Sequence, residues 1–209
     1  MRNLHRDVLR RSLDAPGWAY LELGPGTDRR RMREAMRRLG LELSSTEQRL
    51  HGRGLVPTAL TQFDQGETTP FHVDGGPDES VLILGYEPTP RSSVLRVACL
   101  STCAAAHGQT PRAFVESHPR GIPADDSIMQ THATEIPILS ERWPIVLLCN
   151  SVTDLGAGWL GVLHQAELAL EPRGERIVNT VHLGVSSVAD ANASEASAAW
   201  DDWVAVGTR

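Results

Sequence analysis

Leu4, Val8, Leu9 and Leu13 recur at helical spacing with arginines between them, which predicts an amphipathic helix over residues 3–14. Asp14-Ala15-Pro16-Gly17 ends it, Trp18 to Leu23 alternates as a strand, and Gly24-Pro25-Gly26 follows as a turn. Thr27 or Asp28 can N-cap a second helix whose apolar stripe is Met32, Ala35, Met36 and Leu39, with Gly40 as its stop. Residues 41–54 are polar and mixed, with His51 and Arg53 beside glycines, and suggest a loop able to close over a site. From Leu55 onward the pattern changes to short apolar runs broken by Gly, Pro, Asp and Ser. Strands are predicted at 58–64, 69–73, 80–86, 93–99, 134–139, 144–149, 160–168 and 176–185.

The segment 104–131 contains Pro111, Pro119, Gly121 and Pro123 and reads as a long loop or insertion, with a short helix around Arg112 to Ser117. Residues 190–203 favour a terminal helix anchored by Trp200 and Trp203. Helices first, then about eight strands, then a closing helix: that order suits a mainly β jelly roll with helices packed on one outer face. The expected organisation is one domain over 1–209. It comprises a helical leader with a lid-like segment (1–54), a jelly-roll core (55–188) and a C-terminal helix (189–209).

Composition narrows the function. A chain of 209 residues can bury a sizeable core, and 41% hydrophobic with 22% charged residues is ordinary for a soluble protein. All 20 basic residues are arginine, yet the net charge is -6. That balance argues against a nucleic-acid partner. The cluster Arg29, Arg30, Arg31, Arg33, Arg37 and Arg38 suits a solvated helix face better than an anion site. Cys99, Cys103 and Cys149 are odd in number and form no C-x-x-C pair, which suits a reducing cytoplasm. The charged N-terminus does not resemble a signal peptide, and no apolar run reaches the ~20 residues that cross a bilayer.

Candidate chemistry centres on Thr69-Pro70-Phe71-His72-Val73-Asp74-Gly75-Gly76-Pro77. In a strand, residues i and i+2 share a face, so His72 and Asp74 can converge on one point. With a distant second histidine they would form a 2-His-1-carboxylate facial triad, which holds iron(II) and leaves coordination positions open. His51, His107, His118 and His132 fall in segments read as loops, and His182 lies in the last strand with Val178 and Thr180. His164 stands within the apolar strand Gly161-Val162-Leu163-His164-Gln165-Ala166-Glu167, as a core residue or as a ligand. Arg176 follows it by 12 residues (176 − 164), across the turn Glu171-Pro172-Arg173-Gly174-Glu175. A guanidinium at the start of an apolar strand either sits at a solvated rim or grips a carboxylate.

His72-Val73-Asp74, then His164, then Arg176 resembles the iron(II)/2-oxoglutarate-dependent oxygenases, over residues 55 to about 185. The resemblance implies a double-stranded β-helix in which His72, Asp74 and His164 bind iron(II). It implies that Arg176 grips the distal carboxylate of 2-oxoglutarate and that dioxygen takes the last coordination position. Many members carry Ser or Thr two residues after the arginine; here that residue is Val178. Arg173 is therefore an alternative anchor, and Thr180 offers a hydroxyl from further along the same strand face. A carboxylate at Asp74, rather than a small residue, argues against the halogenating branch.

The expected substrate is a small molecule, such as an amino acid or a natural-product intermediate, with hydroxylation as the default and desaturation, cyclisation or epoxidation open. Arg53, Phe63, Thr69, Trp143 and Trp159 are candidate substrate contacts, and Gln62, Asn150 and Gln165 candidate partners behind the ligands. Two other classes stay open. One is a cupin-like metalloenzyme that does not use 2-oxoglutarate; the other is a non-catalytic β-sandwich binding module.

Overall fold

A computed structural model describes residues 2–171, 173–186 and 193–206. Its elements in chain order are α1 (Arg2–Val8), β1 (Trp18–Leu23), α2 (Arg29–His51), β2 (Gly54–Asp64), β3 (Ser80–Tyr86), β4 (Ser93–Cys99), α3 (Leu100–Ala106), α4 (Pro111–Ser117), α5 (Ser127–His132), β5 (Thr134–Ile138), β6 (Trp143–Cys149), β7 (Val162–Leu168), β8 (Ile177–Ser186) and α6 (Ala193–Ala205). Eight strands among the described residues form two antiparallel sheets, ordered β1-β6-β3-β8-β2 and β5-β4-β7. The fold is mainly β with helices, as the periodicity predicts.

The strand sequences explain this layering. The central strands β3 and β6 are apolar almost throughout because both of their faces are covered. From β3, Leu82, Leu84 and Tyr86 face the second sheet and meet Leu95, Val97, Ile136, Ile138 and Val162. Val81 and Ile83 point the other way, into a second cluster with Met32, Met36, Leu43, Trp200 and Trp203 of α2 and α6. A third cluster packs α3, α4 and α5 on the outside of the second sheet through Leu100, Cys103, Phe114 and Met129. Helices thus cover both outer faces rather than one, because Leu163 and Ala98 of the second sheet also need cover.

Four expectations are corrected. Helix α2 does not stop at Gly40, and 41–54 is no lid-like loop: the helix runs on to His51. Its buried stripe continues through Gly40, Leu43, Thr46 and Glu47. Gly40 is small because Trp200 and Leu183 close on it; an added Cβ would lie 3.2 Å from the indole. The real terminator is Gly52 (φ 71°), whose N–H donates to the Gln48 carbonyl. Helix α1 ends at Val8 because Arg10 turns inward and donates to the carbonyls of Leu160 and Ala15. The strand expected at 69–73 shrinks to bridge pairs Phe71–Ile122 and His72–His164. The segment 104–131 carries α4 and α5 and the end of α3, with the short helix at Pro111–Ser117 as expected. The C-terminal helix is present from Ala193; the residues 190–192 assigned to it lie outside the described residues. Among the described residues no helix is long and apolar enough to cross a membrane.

Candidate metal centre

Alternation along three strands directs one set of side chains into the space between the sheets. On β8 the inner set is Val178, Thr180 and His182; on β7 it is Val162, His164 and Ala166; on β2 it includes Thr61 and Phe63. These surround a cavity of about 370 Å³. His72 reaches the same place by bridging to His164 through both backbone groups, each N–H donating to the other's carbonyl at 2.9 Å. Asp74 follows in the loop, where Asn150 clamps its backbone: the Asn150 Oδ1 accepts from the Asp74 N–H at 2.9 Å and Nδ2 donates to its carbonyl at 3.0 Å. Asn150 sits at the end of β6 in a fully buried stretch.

The expected trio does converge. One ligand atom from each of His72, Asp74 and His164 lies within 4.8 Å of the others, so the group could hold a metal ion. His72 Nε2 is 3.3 Å from Asp74 Oδ1, and His164 Nε2 is 3.7 Å from Asp74 Oδ2. The two rings lie 4.3 Å apart, centroid to centroid. His72 Nδ1 lies 2.8 Å from the Pro70 carbonyl, which accepts its N–H and keeps Nε2 turned toward the carboxylate. His164 Nδ1 is buried with no hydrogen-bond partner among the described residues.

Electrostatics prepare the donors. Burial alone would raise the Asp74 carboxyl, but the His72 hydrogen bond and the fields of His164, His72 and His182 outweigh it and hold it at about 2. Burial, helped by neighbouring His72, pushes His164 down to about 4, so its imidazole is neutral and able to donate a lone pair at neutral pH. For His72 burial lowers the pKa, yet Asp74 and the Pro70 carbonyl together raise it.

Arg176 is fully buried just ahead of β8. Its Nε donates to Ser93 Oγ, and its Nη1 to the Glu87 carbonyl and Thr89 Oγ1, all at 3.2 Å. Among the described residues Nη2 has no partner and no carboxylate pairs with the group. The guanidinium stacks on Tyr86, 4.8 Å from the ring centroid, and Tyr86 lines the cavity. Thr180 Oγ1, on the cavity wall, is likewise buried with no partner among the described residues.

Other expected site residues separate cleanly. Phe63 and Thr69 line the cavity. Arg53 does not: it is engaged by Glu47 and Glu79 and stacks on Trp159, on the helix-covered side of the first sheet. Trp159 is fully buried in that outer cluster, and Trp143 packs against its edge. Arg173 is 89% exposed and faces Glu171 at 3.4 Å, so it is not placed to act as the buried anchor. Gln62 and Gln165 point away from the cavity, to Glu87 and Arg96 respectively. Sequence reasoning missed His182, whose Nε2 lies 3.6 Å from Asp74 Oδ2. The period-2 count from Arg176 through Val178 and Thr180 already puts it on the inner face. No protein-family model, curated protein or solved structure matches the chain.

Proposed function

We propose that the protein is an iron(II)- and 2-oxoglutarate-dependent oxygenase of a small molecule, built on a double-stranded β-helix. The observation that carries this reading is the pairing of a two-imidazole, one-carboxylate donor set with a buried guanidinium just ahead of β8 that has no carboxylate partner among the described residues. The donors fit iron(II): neutral imidazoles suit a borderline divalent ion, the carboxylate supplies charge, and three ligands leave positions open. The buried Arg176 Nη2 and Thr180 Oγ1 supply unmet hydrogen-bonding capacity near Tyr86, which fits the distal carboxylate of a dicarboxylic acid.

When bound, iron(II) with 2-oxoglutarate and dioxygen would supply the oxidising power to hydroxylate a C–H bond, giving succinate and carbon dioxide as co-products. The chain's own residues orient and shield. His72 is fixed in one tautomer by Pro70, Asp74 is held by Asn150, and His164 is rooted in β7. Leu84, Leu95 and Val178 give the cavity wall an apolar stretch. Phe63 and Thr69, on the cavity wall, would be substrate contacts in this reading.

The test is succinate formation from 2-oxoglutarate with iron(II) and ascorbate, with and without candidate substrates. Purified wild-type protein is expected to consume 2-oxoglutarate, and His72→Ala and Asp74→Ala are expected to abolish that consumption and metal retention. A double variant lacking both side chains that still consumed 2-oxoglutarate would refute the proposal. One observation favours a second reading, a cupin-like metal site without 2-oxoglutarate: the third imidazole, His182, lies near the same carboxylate. In that case manganese alone would raise the melting temperature and 2-oxoglutarate would add nothing.

A further inference from the structure

Asp74 is surrounded by three imidazoles, only two of which belong to the set whose ligand atoms come together. We infer that His182 is a positioning residue that donates to the outer oxygen of Asp74 and thereby fixes that carboxylate as a one-oxygen ligand. The inference rests on the metal-site reading above. Its geometry starts from the division of the carboxylate: Oδ1 faces His72, while Oδ2 faces both His164 and His182. Once the Nε2 lone pairs of His72 and His164 are committed to a metal, neither nitrogen can donate to Asp74. Asn150 is spent on the Asp74 backbone and does not reach the carboxylate. Among the described residues the His182 ring is then the donor left beside Oδ2, its Nε2 3.6 Å away and one small adjustment from hydrogen-bond range.

The backbone is built to aim that ring. The β2–β8 register slips opposite His182: Pro57 pairs with Leu183 and Ala59 with His182, leaving Thr58 over. Such a bulge bends a strand and redirects side chains, and bulges concentrate beside functional sites. Proline at the slip removes a ladder donor where the pairing is already interrupted. The His182 carbonyl accepts from Thr58 Oγ1 at 3.4 Å, which holds the irregular turn of the ladder in place. The His182 side chain is 16% exposed, covered enough to be held in one orientation. A carboxylate without such a donor is free to chelate with both oxygens and fill a position that cosubstrates need. Partners behind metal ligands typically contribute 10–100-fold in metal affinity.

The experiment compares wild type with His182→Phe, His182→Ala and His182→Gln, using manganese(II) affinity and the visible spectrum of the cobalt(II)-loaded protein. Phe and Ala remove the donor, with and without ring bulk, so a packing defect in one is checked by the other. Gln retains a side-chain N–H. Expected are a ~10–100-fold weaker manganese(II) affinity in Phe and Ala, recovery of most of it in Gln, and one metal per chain throughout. The cobalt(II) band positions should be kept in Gln and shifted in Phe and Ala. Unchanged affinity in both Phe and Ala would overturn the assignment. So would an affinity that falls as far in Gln as in Phe and Ala, with a changed coordination number in the spectrum recorded at saturating cobalt(II), since that would make His182 a ligand itself. Failure of the wild type to bind manganese(II) or cobalt(II) at all would instead sink the metal-site reading, and the inference with it.

Discussion

Replacing Arg176 with methionine asks whether its guanidinium is kept for a ligand or for the fold. Burial lowers its pKa to about 10. That is roughly 2.5 below an exposed arginine, and at ~1.4 kcal/mol per pH unit it amounts to about 3 kcal/mol against the charged form in the folded state. The sign is set by linkage. Below pH 10 both folded and unfolded chains carry the charge, so the penalty is fully present at neutral pH. It shrinks only as the pH rises from the folded value toward the unfolded one. Against it stand the hydrogen bonds to Ser93, Glu87 and Thr89. Methionine keeps an apolar stem against Tyr86, removes the charge, and leaves the Glu87 carbonyl short of a donor, at a cost of ~1–3 kcal/mol.

The two effects nearly cancel. The ligand-free variant is therefore expected within about 1–2 kcal/mol of wild type in urea unfolding, not the ~3–5 kcal/mol lost when a buried ion pair is broken. Manganese with 2-oxoglutarate at a hundred times its Kd should stabilise wild type by about 2.7 kcal/mol, and the variant should lose most of that increment. Arg173→Ala is the control: exposed and facing only Glu171, it should leave the increment unchanged. A ligand-free Arg176→Met protein destabilised by ~3–5 kcal/mol, with its ligand increment intact, would refute the reasoning and make the arginine structural.

Two further predictions concern other parts of the chain. Burial raises the Cys99 thiol, but hydrogen bonds from Thr102 and the nearby Arg10, whose Nη2 is 2.9 Å from the sulfur, bring it below its usual value. Burial pushes Cys103 up to about 12 and Cys149 up to about 11. Iodoacetamide at pH 7.5, followed by peptide mass spectrometry, should therefore label Cys99 well before the other two; labelling of Cys149 first would contradict the assignment. Gly161→Ala should be strongly destabilising, because its Cβ would fall 1.9 Å from the Ser151 carbonyl oxygen and backbone must move. The expected loss in a thermal melt is at least ~1–3 kcal/mol, and metal affinity should fall with it since β7 and His164 follow directly; an unperturbed melt would show that the loop yields freely.

The strands were legible because burial imposes a period of two and turns are marked by Gly, Pro and Asp. Each of β3, β4, β6, β7 and β8 lies within a residue or two of its predicted span. The trio was legible from residue type and order, His-x-Asp followed by a strand histidine, although the strand expected to align His72 with Asp74 shrinks to a bridge and Asn150 holds Asp74 in a loop instead. What failed depended on partners far along the chain. Gly40 looked like a helix stop, and only the indole of Trp200, 160 residues later (200 − 40), explains why the helix runs through it. Arg53 and Trp159 were candidate substrate contacts by residue type, with packing an equally good reading of each. They are in fact stacked on each other, the arginine paired with buried Glu47 and half-buried Glu79. His182 was hidden for the opposite reason: its strand position was plain, but the carboxylate it faces sits in a loop that no periodicity describes.

Glu87 joins the two faces of the first sheet, and the fold's rigidity at the site can be tested through it. Its carbonyl accepts from Arg176 on the inner face. On the helix side its carboxylate takes two bonds from Arg29, at 2.7 and 2.8 Å, and one each from Gln62 and Asn179 at 2.9 Å. Asn179 in turn accepts from the buried Arg33, whose Nη1 donates to the Trp203 carbonyl of α6. A single carboxylate thus ties α2 and β2 to the strand that carries Arg176, Thr180 and His182. Glu87→Gln keeps the shape and removes the charge, leaving Arg29 and Arg33 without their shared counter-ion. Breaking a fully buried pair costs ~3–5 kcal/mol, and because Arg29 is one-third exposed the expected loss is a part of that, about 1–3 kcal/mol. The Arg176 backbone contact survives the substitution, so 2-oxoglutarate affinity should fall less than in Arg176→Met. If Glu87→Gln instead abolished cosubstrate binding while leaving stability untouched, the carboxylate would have to act on the ligand directly, and the division of β8 into a structural and a functional face would be wrong.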